Sequence, residues 1–237
     1  MFNKTSRFLI ALLLLPLCFA VTLTIYELLH SLPDTAPDRM IAPELVALGG
    51  GYFAWLLIYF FLPTPMRIYI FGHELTHALW GILFGARIHK IKVKADGGYV
   101  QLSKSNMLIT LAPYFFPFYT MLALLIRLAI SFFLPMDNYA FIWLAIVGFT
   151  WGFHFTFTIQ SLLIRQPDVM EFGRLFSYVI IFLLNAAGIG IWIVCTTTAT
   201  LTDFSLTLVE RTMYVYATAG NLIKQVAVTL WQLFADR

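Results

Sequence analysis

The sequence predicts an all-α polytopic membrane protein with about six transmembrane helices, a short β-hairpin after the third helix and a C-terminal amphipathic helix. Of its 237 residues, 60% are hydrophobic and only 11% are charged, whereas a soluble domain carries roughly 25% charged residues. The mean hydropathy is +0.83. Several apolar runs approach the length of about 20 residues that crosses a bilayer, and they are continuous, which favours helices over the alternating strands of a barrel.

Six apolar runs are the predicted spans. They cover residues 8–29, 45–62, 66–85, 107–134, 139–164 and 175–195. The first begins like a signal peptide, but its apolar run continues to about Leu29, so we expect an uncleaved helix; cleavage after Ala20 is the alternative. In the second, Gly49, Gly50 and Gly51 are small enough to allow close packing on a neighbouring helix.

Prolines and charged residues mark where the chain departs from regular spans. Pro113 and Pro117 are expected to kink the fourth span, and neighbouring groups must then satisfy the carbonyls that lose their donors. Residues 204–237 mix charged and apolar side chains. That mixture fits an amphipathic helix lying on the membrane better than a seventh span.

Residues 87–104 are predicted to form a β-hairpin outside the hydrocarbon. Three lysines alternate with apolar residues in the stretch KIKVK, and a period of two is typical of a strand. The turn signal Asp96-Gly97-Gly98 follows, and the stretch YVQLS resumes the extended pattern. The basic cluster at 87–94 lies close to a helix end, so the positive-inside rule favours a cytoplasmic hairpin.

We predict a single membrane domain over residues 1–237. Residues 1–65 would form two accessory helices, 66–195 a core that includes the hairpin, and 204–237 the amphipathic tail. The lipid bilayer is the partner that this composition implies. The net charge of +3 comes from few, scattered basic residues, which argues against nucleic-acid binding. The sequence does not determine the oligomeric state.

The third predicted span contains the stretch FGHELTHALWG, in which two histidines and a glutamate interrupt an apolar helix. Positions i and i+4 share a helix face, so His73 and His77 can offer two imidazoles to one metal ion. Glu74 lies about 100° around the helix from His73, where it can act on a water molecule without being a ligand. Two zinc ligands and a general base are the chemistry of an H-E-x-x-H motif. Ionisable groups at bilayer depth are costly and usually functional.

A catalytic zinc needs a third protein ligand. The candidates in or near the spans are Glu27, His30, Asp96, His154, Asp168 and Glu171. Asp168 follows Pro167 at a break before the last span, where a carboxylate would line a polar cavity. The same pair could instead open a helix. His154 could be a ligand, a group that supports the ligands, or a histidine bonded to a neighbouring helix. Asn185 could join helices or donate to a substrate carbonyl.

Together these features resemble the site-2 protease family of intramembrane zinc metalloproteases over about 66–185. The resemblance rests on the HELTH motif in a membrane helix, a following hairpin with two glycines, and a distant aspartate before a later helix. LAPYFFP stands where the family often has a small-residue-Gly-Pro turn, which is a partial match. IRQPDVMEFG replaces the family's Leu-Asp-Gly segment, and Asp168 is the counterpart of its aspartate ligand.

The resemblance implies a minimal, core-only member whose zinc ion (Zn2+) is held by His73, His77 and Asp168. Glu74 would activate water to hydrolyse a peptide bond of a single-span membrane substrate. An extended substrate segment would pair with an exposed strand of the hairpin near Gly98. The resemblance also implies a prokaryotic cell (inner) membrane, with the hairpin on the cytoplasmic side.

Two other functions are compatible with the motif. Zinc and other divalent metal transporters carry similar His-Glu motifs on membrane helices, but they usually add a second ligand-rich helix and a histidine-rich loop. Here only His154 and Asp168 could serve in that way. A non-catalytic homologue that binds membrane segments would keep its cellular role after Glu74 is replaced.

Overall fold

The computed structural model describes residues 3–31, 43–94 and 97–235, which form nine α-helices, one 3-10 turn and one β-hairpin. The elements are α1 (Lys4–His30), α2 (Pro43–Phe61), α3 (Met66–Leu83), β1 (Ile88–Val93), β2 (Gly98–Leu102), α4 (Met107–Phe115), α5 (Phe118–Ser131), the 3-10 turn (Met136–Tyr139), α6 (Ala140–Leu163), α7 (Pro167–Phe172), α8 (Arg174–Thr196) and α9 (Leu201–Ala235). The candidate ligand Asp96 lies outside the described residues.

The chain is a helical membrane protein, as predicted. Four helices, α1, α2, α6 and α8, are long and apolar enough to cross a membrane, and the bent pair of α4 and α5 makes a fifth if it forms one span. The motif helix α3, which has 18 residues and occupies the third predicted span, is not among these helices. Length and composition therefore support four or five spans in the described part of the chain, against the six predicted.

The fourth predicted span, 107–134, is not one helix. Its two halves, α4 and α5, are bent by 76° relative to each other. The break falls at Pro117, which has no N–H to continue the helical hydrogen bonds. Pro113 lies inside α4, which continues to Phe115. The predicted interruption is therefore found at Pro117 but not at Pro113.

The predicted hairpin is present as the antiparallel pair of β1 and β2. Val93 pairs with Gly98, and the N–H of Lys94 donates to the carbonyl of Gly97 at 2.8 Å. Both strands contact α3. The hairpin therefore packs directly on the helix that carries the motif.

Contacts divide the chain into two compact units, residues 34–171 and residues 1–33 with 172–237. The first unit contains α2 to α6 and the hairpin, and it includes the start of α7. The second contains α1, α8 and α9. The single membrane domain inferred from the sequence stays a prediction.

In the unit 34–171, α2 and α6 cross with their backbones in contact. A Cβ added to Gly51 would collide with the carbonyl of Ala145, and one added to Gly148 would collide with the carbonyl of Leu48. Gly51 thus has the packing role expected of it, whereas the two glycines before it have open space around their Cα atoms. Because no side chain separates the two helices, the crossing holds α6 firmly in place.

An aromatic cluster extends the contact between α2 and α6 toward the motif helix. Trp55 packs on Phe153 and Phe157, with ring centroids 4.9 and 6.1 Å away, and its indole N–H donates to the Thr156 hydroxyl at 2.9 Å. Phe157 in turn stacks on Tyr69 of α3. The cluster thereby links the position of α6 to that of α3.

In the second unit, the long helix α9 packs along α1 and also contacts α8. The Arg211 guanidinium forms a bidentate ion pair with the Glu27 carboxylate, in which Nε donates to Oε2 at 2.6 Å. The Tyr216 hydroxyl donates to the carbonyl of Leu13 at 2.5 Å. Beyond these contacts, residues 220–235 are exposed. A helical tail is therefore found, and its placement on the membrane surface stays a prediction.

Candidate metal centre

His73 and His77 lie one turn apart on α3 and face the same side, as the spacing of the motif predicts. Their ring centroids are 4.9 Å apart, and the rings are almost perpendicular. The carboxylate of the motif, Glu74, is buried, at 6% exposure. Helix α3 thus places two imidazoles and a carboxylate within about one turn.

Asp168, in the first turn of α7, lies opposite the two imidazoles. Its Oδ2 atom is 3.4 Å from Nε2 of His73 and 3.4 Å from Nε2 of His77. One ligand atom from each of the three side chains falls within 4.8 Å of the others. Zinc bonds of about 2.0–2.1 Å in a tetrahedron place neighbouring ligand atoms roughly 3.4 Å apart. The three side chains could therefore hold a metal ion, and the two separations of 3.4 Å are compatible with tetrahedral coordination.

The electrostatics of Asp168 follow from the same contacts. Burial alone would raise the pKa of this carboxyl, but the close approach of the His73 and His77 imidazoles outweighs that effect and holds the pKa well below its usual range. The Tyr114 hydroxyl also donates to Oδ2, at 3.1 Å. The carboxyl is therefore held as an anion, which is the form that binds a metal.

His77 is oriented by the backbone carbonyl of Ile109, which has no helical N–H donor because residue 113 is a proline. Its Nδ1 atom donates to the carbonyl oxygen of Ile109 at 2.9 Å. In a regular helix that oxygen would accept from the N–H of residue 113, but Pro113 has none. A neighbouring group was expected to donate to this carbonyl, and in the structure the His77 side chain does so.

His73 is oriented by a tyrosine one turn earlier on α3. The Tyr69 hydroxyl lies 3.3 Å from Nδ1 of His73 and 2.5 Å from Oγ of Ser161 on α6. Metal-binding histidines commonly have their second ring nitrogen held by such a partner. Both imidazoles therefore have a hydrogen-bond partner at Nδ1 and direct Nε2 toward Asp168.

Glu74 lies outside the group of three ligands but faces the same cavity. A Cβ added to Gly98 would be 2.7 Å from Cγ of Glu74 and 2.9 Å from the carbonyl oxygen of Lys92. Strand β2 therefore passes so close to Glu74 that only glycine fits at its first residue. The structure thus assigns Gly98 a steric role beside the motif.

The three candidate ligands and Glu74 line a cleft of about 700 Å³. Its walls come from α3, from residues 97–102 of the hairpin, from the start of α4 and from residues 164–171. The candidate centre is therefore accessible from a cavity large enough for several residues of an extended peptide.

The other residues suggested by the sequence lie elsewhere or are not part of the ligand group. His154 lines a separate cavity of about 30 Å³ on another side of His73, and Glu171 lines the large cleft. Glu27 pairs with Arg211. Two further candidates belong to the second unit: the His30 ring packs edge-on against Tyr26, and the Asn185 amide donates to the carbonyl of Ile181 within α8.

Sequence reasoning did not identify Tyr69, Tyr114 or Ser161. The spacing of four residues between Tyr69 and His73 is a helical signal that could have pointed to the first of them. Tyr114 and Ser161 reach the centre from α4 and α6, and no local pattern marks that approach.

Fold and site together define a class: a helical membrane protein with a candidate metal centre beside a cleft. The chain matches no family model, and comparisons with curated proteins and with solved structures find no match. The class therefore rests on the geometry of the described residues.

Proposed function

We propose that this chain is an intramembrane zinc endopeptidase of the site-2 protease type, which hydrolyses peptide bonds of membrane-spanning substrates. The observation that carries the proposal is the convergence of two imidazole Nε2 atoms on Asp168 Oδ2, at 3.4 Å each, beside a nearly buried glutamate. Two histidines, a carboxylate and a neighbouring general base are the parts that peptide hydrolysis by a zinc enzyme needs.

In this proposal His73, His77 and Asp168 hold the metal. Zinc, when bound, lowers the pKa of a water molecule and polarises a carbonyl group. Glu74 takes a proton from the attacking water and passes it to the leaving amine. Glu74 is 6% exposed and lies against Gly98, which limits the space open to its side chain.

The hairpin supplies a docking edge for the substrate. A peptide bond inside a helix is engaged in hydrogen bonds, so cleavage requires an extended segment, which an exposed strand edge can receive by β-augmentation. Consecutive residues of β2, from Gly98 to Leu102, line the cleft. Side chains of a strand alternate between two faces, so a run of consecutive lining residues means that the edge of β2 borders the cavity.

The membrane arrangement is part of the same proposal. Adding α3 and the bent pair of α4 and α5 to the four long apolar helices gives six spans, with the hairpin on the cytoplasmic side of a prokaryotic inner membrane. The basic residues of β1 support this orientation by the positive-inside rule. The substrate is then a single-span membrane protein that enters the cleft from the bilayer.

The test pairs metal content with cleavage. Wild type, Glu74→Gln, Asp168→Ala and, as a control, Glu44→Gln in the exposed first turn of α2 are purified in detergent. Each is assayed for bound zinc and for cleavage of a single-span reporter substrate. We expect about one zinc per chain in all but Asp168→Ala, and cleavage only by wild type and the control.

Other outcomes decide against the proposal. Cleavage that survives in Glu74→Gln would remove the general base from the mechanism. Zinc uptake into vesicles by wild type, without cleavage of the reporter, would identify a transporter instead. A wild-type protein that binds no zinc under metal-replete conditions would refute the metal centre itself.

A further inference from the structure

His73 and His77 differ in what holds their Nδ1 atoms. A neutral imidazole carries one proton, and it can bind a metal through Nε2 only when that proton is on Nδ1. His77 faces the Ile109 carbonyl, which can only accept, so its tautomer is set. His73 faces the hydroxyl of Tyr69, which can accept or donate. The tautomer of His73 therefore depends on where the proton of Tyr69 points.

Ser161 offers the alternative acceptor for that proton. Its Oγ atom is 2.5 Å from the Tyr69 hydroxyl oxygen, whereas His73 Nδ1 is 3.3 Å away. Ser161 is only 3% exposed, which keeps solvent from competing for the bond. The Tyr69 ring stacks on Phe157, with centroids 4.5 Å apart and planes 8° from parallel. The stacking holds the hydroxyl between its two partners.

We propose that Tyr69 and Ser161 are positioning residues that set the tautomer of His73. Tyr69 donates its one proton to Ser161, so the tyrosine oxygen accepts the Nδ1 proton of His73. The Nε2 lone pair of His73 then faces the cleft. The inference rests on the proposed function, since it assumes that His73 is a metal ligand.

Because of the direction of these hydrogen bonds, removing the Ser161 hydroxyl and removing the Tyr69 hydroxyl are expected to affect zinc binding differently. In Ser161→Ala, Tyr69 has lost its acceptor, and buried donors are seldom left unpaired. Tyr69 then donates to His73 Nδ1, which moves the imidazole proton to Nε2, where it opposes metal binding. Loss of the partner that supports a metal-binding histidine typically costs 10–100-fold in metal affinity. Because the misplaced proton also occupies Nε2, we expect Ser161→Ala to weaken zinc binding by the upper end of that range, about 100-fold.

Replacing the tyrosine is expected to do less damage. Tyr69→Phe removes the donor and the acceptor together, so nothing forces the imidazole proton onto Nε2, and we expect a loss at the lower end of that range, about 10-fold. The double variant of Tyr69→Phe and Ser161→Ala also lacks the misdirected donor. The zinc affinity of the double variant is therefore expected to equal that of Tyr69→Phe. Adding Tyr69→Phe to Ser161→Ala would thus restore part of the zinc affinity that Ser161→Ala removes.

The experiment measures zinc affinity by competition with a chromogenic chelator in the full-length, detergent-purified chain. The absorption spectrum of the Co2+-loaded protein reports the ligand set independently. Tyr59→Phe is the matched control, because Tyr59 also bonds a residue of α6, at 3.4 Å from Gln160, without contacting the centre. Wild type and this control are expected to bind zinc equally well and to share one Co2+ spectrum.

The order of the affinities decides the inference. It is supported if Ser161→Ala binds zinc more weakly than Tyr69→Phe and the double variant matches Tyr69→Phe. Equal losses in both single variants, or losses that add in the double variant, would show that the hydroxyls only fill space and would overturn it. So would a wild type that binds no zinc. A wild type that binds zinc but cleaves nothing refutes the protease alone, because the affinity order is read without activity.

Discussion

Pro113 is predicted to control the metal affinity of a residue on another helix. Restoring an N–H at this position with Pro113→Ala gives the Ile109 carbonyl an internal donor, which competes with the Nδ1–H of His77 at its present 2.9 Å. A carbonyl oxygen has two lone pairs and can accept both donors. The bond to His77 is therefore expected to weaken rather than to vanish.

The magnitude follows from that sharing. Complete loss of a partner that orients a metal-binding histidine costs about 10–100-fold in affinity. Because the bond of His77 is shared rather than lost, we expect Pro113→Ala to weaken zinc binding by about 10-fold, or roughly 1.4 kcal/mol. The thermal stability of the metal-free protein is expected to increase, since alanine is favoured over proline inside a helix by about 3 kcal/mol. A Pro113→Ala protein that is at least as stable as wild type but binds zinc less tightly would indicate competition for the Ile109 carbonyl.

The assay combines chelator competition for zinc with thermal unfolding of the metal-free protein. Pro16→Ala is the matched control, because Pro16 also lies inside a helix, α1. It is expected to leave zinc affinity unchanged. Unchanged affinity in Pro113→Ala would refute the reasoning, and so would weaker binding accompanied by lower stability, since general misfolding would then explain the loss.

Two further predictions concern glycines. Gly98→Ala places a methyl group against Glu74. It is expected to lower the rate of cleavage by about 100-fold, the cost of a 1 Å misplacement of a catalytic group, while the zinc content stays unchanged. Gly97→Ala, with open space around its Cα atom, is the control, and equal cleavage rates in the two variants would contradict the steric role of Gly98. Gly148→Ala forces apart the backbones of α2 and α6 and is expected to lower the unfolding temperature measured in detergent, whereas Gly49→Ala, also in open space, leaves it unchanged.

The features that were predictable from the sequence are those encoded locally. Composition and run length predicted a helical membrane protein, alternation predicted the hairpin, and i, i+4 spacing placed His73 and His77 on one face. Asp168 was singled out because it follows Pro167 at a break before the last predicted span, where a carboxylate would line a polar cavity, and because the resemblance makes it the counterpart of an aspartate ligand. The structure brings His73, His77 and Asp168 together.

What could not be predicted depends on contacts between distant segments. Ser161 is an ordinary serine in an apolar helix until α6 brings it to Tyr69. The 76° bend between α4 and α5 requires more than the presence of Pro117, because a proline removes a hydrogen bond without fixing the direction of the following helix. Gly51 and its two glycine neighbours have the same local chemistry, and only the position of α6 distinguishes them.

The crossing of α2 and α6 also limits how the chain can diverge. Each of the two glycines, Gly51 and Gly148, faces a carbonyl oxygen of the opposite helix, so a larger residue at either position cannot be accommodated by a change in side-chain conformation. Any relative that keeps this crossing is therefore expected to carry a small residue at both positions, however much its surface has changed. A pair of small residues at this separation, combined with HELTH and the later aspartate, is a criterion by which distant relatives could be recognised.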